Sequence, residues 1–167
     1  MLIIFGGAPG TGKTTLSRQL ALALKAVYLR IDTMDQPIMA VYGDDIADTS
    51  YRVAHGIARD NLRLGHTVIA DCVNPVKLTR DPWQEVGLCA GVPTVEVEII
   101  CSDAAEHRRR VETREADVPN QKLPTWEDVC NRWVEPWSRA PIVIDTAGRT
   151  VEDCLTELKA ALPRQAH

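Results

Sequence analysis

Apolar residues fall into short, near-continuous runs separated by longer stretches of helical period. The runs predict strands over 2–6, 26–30, 67–71, 94–100 and 141–145. Leu2-Ile3-Ile4-Phe5 and Val68-Ile69-Ala70 are unbroken, the pattern of parallel strands covered on both faces. Val95-Glu96-Val97-Glu98-Ile99 alternates, which predicts one less buried face on that strand. Helical period appears over 16–25, over 49–64 (Tyr51, Ala54, Ala58, Leu62) and after Thr150 (Val151, Cys154, Leu155, Leu158, Leu162). Start signals accompany it. Asp81-Pro82 predicts a cap followed by proline in the first helical position, and a short helix is expected to begin near Thr33. Asp103 with Glu106, Thr125 with Asp128 and Thr150 with Asp153 have capping-box spacing. Strands alternating with helices imply right-handed crossovers, hence a three-layer α/β sandwich around a parallel sheet. In such sheets ligands bind beyond the carboxyl ends of the strands.

Composition sets the outer bounds. The 167 residues predict one domain over 1–167 with a self-sufficient core. A net charge of −4 argues against a large nucleic-acid footprint and leaves room for a short strand end. The five cysteines are odd in number and lack C-x-x-C spacing, so neither a disulfide framework nor a zinc site is expected. Cys101 and Cys154 lie in apolar contexts and are expected in the core. The cysteine usage fits a reducing, cytoplasmic setting. No apolar run reaches membrane-spanning length, and no secretory leader precedes the first strand.

The sharpest chemical signal is Gly7-Ala8-Pro9-Gly10-Thr11-Gly12-Lys13-Thr14, a full match to G-x-x-x-x-G-K-[ST]. It lies between an apolar strand and a helical run. Free N–H groups at the helix start, together with the helix dipole, make a site for anions. Residues 7–15, ending in Thr15, are therefore expected to bind the phosphates of ATP. Lys13 brings a point charge to the β- and γ-phosphates, and Thr14 offers a hydroxyl to Mg2+.

Carboxylates follow the second and third strands. Asp32 follows Ala26–Arg30 and Ile31, and reads either as a helix cap or as a base for an attacking hydroxyl. Asp71 ends Val68-Ile69-Ala70 and is expected in the site, on metal or on substrate. Asn74 reads as a turn residue before Pro75. Arg52, His55, Asn74 and Arg80 are candidates for an acceptor pocket. In His107-Arg108-Arg109-Arg110 and Arg114, positions 110 and 114 share a helical face. They read either as a solvated basic face or as a guanidinium pair for phosphate or base. Residues 115–124 are polar and aperiodic, a flap or a connector. Ile142-Val143-Ile144-Asp145-Thr146-Ala147-Gly148 has the D-x-x-G form of GTPase switches, but no N-K-x-D follows to read guanine. Its 145–149 loop is expected beside the nucleotide base.

Together GGAPGTGKTT at 6–15, Asp32, VIAD at 68–71, HRRRVETR at 107–114 and VIDTAG at 143–148 resemble P-loop kinases of the nucleoside-monophosphate-kinase type. The chain is similar to small phosphotransferases such as chloramphenicol phosphotransferase and to the 5′-hydroxyl kinase domain of polynucleotide kinase. The resemblance runs from Leu2 to about Leu162. It implies a P-loop NTPase fold, a sheet of order 2-3-1-4-5, and a short lid around 107–124. It makes Lys13, Asp32, Arg110 and Arg114 the catalytic set, with Asp32 the general base. One arginine would lie against adenine and the other on the transferring phosphate. Thr14 and Asp71 would serve Mg2+. The implied activity is ATP-dependent transfer of phosphate to a hydroxyl of a small molecule. A polynucleotide 5′-hydroxyl kinase, a P-loop ATPase and a regulatory nucleotide-binding protein are the alternatives. Cys72 stands where remodelling ATPases place a glutamate after the strand-end aspartate.

Overall fold

The fold is described from a computed structural model covering residues 1–163; the last four positions of the domain predicted over 1–167 lie outside the described residues. Five strands form one sheet: β1 (Leu2–Gly6), β2 (Val27–Arg30), β3 (Val68–Asp71), β4 (Thr94–Ile100) and β5 (Ile142–Asp145). Their order is β2-β3-β1-β4-β5 and every pairing is parallel, as the strand–helix alternation required. Register places Phe5 opposite Asp71 and Arg30 opposite Asp71, so β1, β2 and β3 end level with one another.

Alternation along the central strands sorts side chains into two cores. Leu2, Ile4, Val68 and Ala70 pack with Ala54, Ala58 and Leu62 of α3 (Thr49–Arg63) and with Trp83 and Val86 of α4 (Lys77–Ala90). Ile3, Phe5, Ile69, Val97 and Ile99 face the other way. They meet Leu16 and Leu20 of α1 (Lys13–Leu24) and Cys154 and Leu158 of α7 (Val151–Ala161). Each fully buried aliphatic side chain contributes on the order of 1.5–3 kcal/mol. The two layers of helix therefore hold the strand ends rigid where the chemistry must sit. Cys101 and Cys154 are both buried, as expected.

Several local expectations are corrected by the structure. α4 begins at Lys77 rather than at Asp81-Pro82, and Pro82 lies inside it. The reason is a distant cap: Glu135 Oε2 accepts from the Lys77 N–H at 2.6 Å, while Asp81 pairs with Arg139 at 2.8 Å. α2 (Ile31–Tyr42) follows β2 without a loop, so Asp32 occupies its first turn and does not cap it. At α5 (Ala104–Thr113), Asp103 accepts from Ala105 and Glu106 N–H, but Glu106 turns outward to Gly148 and Arg110. Only Thr125 and Asp128, before α6 (Trp126–Asn131), close a full capping box. At α7, Thr150 accepts from the Asp153 N–H, while the Asp153 carboxylate takes the Thr150 hydroxyl. On β4 the alternation holds, with Val97 and Ile99 fully buried and Thr94, Glu98 and Ile100 half-buried, and Glu96 is the exception on that second face. Glu96 is buried beneath Arg139, which donates to both its oxygens at 2.8 and 2.7 Å.

One half-buried titratable group gives a test of packing. The His55 ring stands edge-on to Trp83 at 4.3 Å between centroids. Burial, and then the nearby Arg59 charge, lower its pKa to about 4. The unfolded chain therefore binds a proton that the native state refuses between about pH 6.5 and 4, and stability falls as pH drops through that window. Urea midpoints measured from pH 7 to pH 4 should show a shallower fall for His55→Phe than for the parent.

Candidate active site

The phosphate loop runs from Gly7 to Thr14 between β1 and α1. At Gly7 (φ 137°) an added Cβ would collide with the Ile99 carbonyl, and at Gly10 (φ 85°) it would lie 2.5 Å from Val111 Cγ2. Glycine is thus required both for backbone angle and for space. Neighbouring elements hold the curl in place. Gly7 N–H donates to Val73 O at 3.1 Å, the Thr146 hydroxyl to Thr11 O at 2.8 Å, and His107 Nε2–H to Pro9 O at 2.8 Å. Gly12 is the N-cap of α1, no side chain caps that end, and no acidic residue occupies the first turn. The unsatisfied N–H groups and positive dipole end face the cleft, so the loop fits a polyphosphate.

Lys13 and Asp71 form the innermost pair. Lys13 Nζ lies 2.7 Å from Asp71 Oδ1, and both side chains are buried. The Tyr28 hydroxyl donates to Asp71 Oδ2 at 2.7 Å. Burial alone would raise the Asp71 pKa. The Lys13 charge and hydrogen bonds from Lys13, Tyr28 and Thr14 outweigh it and hold the carboxyl below its ordinary range. Burial, then the Asp71 charge, push the Tyr28 phenol well up, so it remains a donor.

A cleft of about 720 Å³ opens over this pair. Ala8, Pro9, Gly10, Gly12, Lys13, Thr14 and Thr15 form one wall, and Asp32, Arg110 and Arg114 also line it. Asp71 lies a layer beneath, behind Lys13. Gly7 and Thr11 border a separate cavity of about 190 Å³ behind the loop. Arg110 is already organised: Nη1 donates to the Thr146 hydroxyl at 2.8 Å, and Nη2 to Thr146 O at 3.0 Å and to Glu106 at 2.6 Å. It and Thr146 line a further small hollow with Arg149 and Thr150, beside the 145–149 loop.

The candidate acceptor residues do not assemble. Arg80 is buried, donates to Pro75 O and Glu135 O, and stacks 4.4 Å from the Trp137 ring. His55 packs on Trp83, and Arg52 pairs with Asp48 at the surface. Asn74, at φ 48°, donates to Phe5 O behind the loop. In their place the cleft presents Arg30, Asp35, Tyr51 and Asp117. Burial and then the Asp32 charge raise the Asp35 pKa. Arg30 carried one signal in the sequence, a charge closing an apolar strand. Asp117, in an aperiodic stretch, carried none.

A parallel sheet of this order with a glycine loop and lysine at the end of β1 defines a P-loop fold. A family model described as "AAA domain" matches residues 2–133, and the chain belongs to that family. No curated protein matches the chain. Among solved structures, it is similar to a candidate kinase of Chloroflexus aurantiacus (20% identity, TM-score 0.73, covering 97% of this chain and 98% of that one). A gluconokinase of Sinorhizobium meliloti is 15% identical with TM-score 0.63, over 95% and 89%. The APS kinase CysC of Mycobacterium tuberculosis is 17% identical with TM-score 0.62, over 95% and 94%. At these identities the likeness establishes the fold.

Removing one partner of a buried ion pair strands the other charge and costs about 3 kcal/mol or more. Lys13→Met should therefore destabilise the nucleotide-free protein by roughly that amount in urea titrations, and Asp71→Asn in the same background should recover most of it.

Proposed function

We propose that the chain is an ATP- and Mg2+-dependent phosphotransferase that moves the γ-phosphate to a hydroxyl group of a small molecule. The observation that carries this reading is the placement of Asp32. It stands in the first turn of α2, on the same cleft as Lys13 and the phosphate loop, one third exposed and open to an incoming group. A carboxylate so placed accepts the proton of an attacking hydroxyl. The residue after Asp71 is Cys72, which is buried and whose thiol is pushed well up by burial. No carboxylate follows Asp71 to orient water, which favours transfer over hydrolysis.

In this reading residues 7–15 cradle the phosphates through backbone N–H groups, and Lys13 leaves Asp71 for the β- and γ-oxygens. Tyr28 keeps its hydrogen bond to Asp71 and preserves the carboxylate's orientation. Thr14 and Asp71 would hold Mg2+. Thr14 follows Lys13 at the start of α1 and Asp71 lies behind Lys13, and Mg2+ held there would take its remaining ligands from phosphate and water. Bound there, the cation would neutralise charge on the phosphate chain. The acceptor hydroxyl loses its proton to Asp32 while its oxygen bonds to the γ-phosphorus, and the bond from that phosphorus to ADP breaks. Arg114 neutralises the transferred group, and Arg110, already fixed by Thr146 and Glu106, flanks the nucleotide base. Residues 107–124 act as a short lid. Little covalent chemistry is asked of the protein, so positioning and charge carry the rate.

The test is an ATP-consumption screen with aminoglycosides, phenicols, nucleosides, sugars, sugar acids and 5′-hydroxyl oligonucleotides. Transfer to an oligonucleotide alone would make the protein a polynucleotide 5′-kinase. Partner-dependent hydrolysis without an acceptor would make it an ATPase, and tight nucleotide binding with no turnover a regulatory protein. With an acceptor in hand, Asp32→Asn should lower kcat by about a hundred- to ten-thousand-fold. Affinity for a non-hydrolysable ATP analogue should stay within about two-fold, because the phosphates are held by the loop.

A further inference from the structure

Arg30 is a buried charge beside the cleft that the mechanism above leaves unemployed. Its side chain closes β2 and is only 5% exposed, yet it borders the cleft. Asp117 occupies both of its terminal nitrogens, Nη1 to Oδ2 at 2.8 Å and Nη2 to Oδ1 at 2.9 Å. Nη2 also lies 3.3 Å from Asp32 Oδ2, and Nε lies 4.0 Å from Asp71 Oδ2 with no hydrogen-bond partner. Asp32 and Asp71 are fixed on the scaffold. Asp117 arrives from outside, on the irregular 114–125 connector, 43% exposed, with Arg18 on its outer edge at 2.9 Å. Hydrogen bonds from Arg30, then Arg18, hold its carboxyl far below the usual range, so it is an anion at any working pH.

We propose that Asp117 stands in for a carboxylate of the acceptor, and that the acceptor is a hydroxy acid whose carboxylate takes the Arg30 fork while its hydroxyl meets Asp32. This rests on the phosphotransferase reading of the same cleft. Side-by-side pairing of two guanidinium nitrogens with two carboxylate oxygens is how arginine recognises a planar anion. During transfer Asp32 is engaged by the hydroxyl, and Asp71 holds the Tyr28 hydroxyl on the oxygen that lies 4.0 Å from Nε, so neither can serve the fork. A buried guanidinium left without an anion is costly, and the group that enters the cleft must supply one. The short gap between Nη2 and Asp32 puts the reacting hydroxyl a few bonds from the carboxylate. Asp117 belongs to no helix or strand, so it is the carboxylate most readily exchanged. A neutral acceptor would leave the Arg30–Asp117 pair closed and gain nothing from it.

The test isolates the fork from turnover. With the phosphate loop saturated by a non-hydrolysable ATP analogue and Mg2+, acetate and sulfate are titrated by NMR into the parent, Asp117→Asn, and Asp117→Asn with Arg30→Gln. Binding of the analogue checks that all three proteins are folded. Acetate should bind Asp117→Asn roughly ten-fold or more tightly than the parent, because the internal competitor is gone. Arg30→Gln should abolish that gain. In transfer assays with glycerate against glycerol and gluconate against glucitol, the acid should be phosphorylated, and Asp117→Asn should lower its KM more than it changes kcat. Acetate binding indifferent to Asp117→Asn would overturn the proposal. So would sulfate preferred to acetate, which would assign the fork to the transferring phosphate, or equal transfer to the neutral partners. Acetate binding at Arg30 with no transfer to any acceptor would remove the phosphotransferase reading and the hydroxy-acid assignment with it, leaving an anion site.

Discussion

A carboxylate as deeply buried as Asp71 can remain ionised only if opposite charge and hydrogen bonds meet it at once, and the architecture is arranged to meet it. Parallel register brings the ends of β1, β2 and β3 level. From the first comes Lys13, from the second Tyr28, from the third Asp71 itself. None of these contacts is local in sequence: Lys13 and Asp71 are separated by 58 positions and Tyr28 and Asp71 by 43. The pair couples fold to the proposed chemistry, because the same lysine that neutralises Asp71 is the one the loop would present to phosphate. Low surrounding dielectric strengthens the contact and makes its loss expensive.

Charge around this pair is layered. Asp71 and Lys13 lie at the floor, Arg30 and Asp32 at the level of the cleft, and Asp117, Arg18 and Arg114 towards its mouth. Each layer is set by an element of different stiffness. The floor is held by strands packed on both faces, the middle by the direct β2–α2 junction, and the mouth by an irregular connector. Packing fixes the inner groups tightly and leaves the outer ones free to respond to what enters.

What could be read from the sequence follows from the range of the determinants. The strands, the glycine loop and the carboxylates at Asp32 and Asp71 are written in patterns a few residues long, and all appear where the patterns put them. The start of α4 was misread because Asp81-Pro82 is a strong local signal and the deciding contact, Glu135 on Lys77 N–H, spans 58 positions. Glu96 lies on the face that alternation marks as less buried yet is itself buried, because alternation on a strand does not reveal a remote Arg139. Arg52, His55, Asn74 and Arg80 had the right chemistry for a pocket, but folding turned them to other tasks. Arg30 and Asp117, 87 positions apart, share a site without any shared pattern.

The stretch between α6 and β5 looks like a plain return path, yet it braces the rear of the sheet. Trp137 lies over Arg80 and its ring sits 2.9 Å from where a Cβ on Gly6 would be, Glu135 caps α4, and Arg139 clamps Glu96 to Asp81. The family match ends at residue 133, just ahead of all three anchors. A fragment cut at that boundary would keep the whole 7–15 loop and lose the buttress behind it, besides one edge strand and its covering helix. Sequence homology marks where relatives agree; the mechanical unit that keeps the loop in shape extends past it.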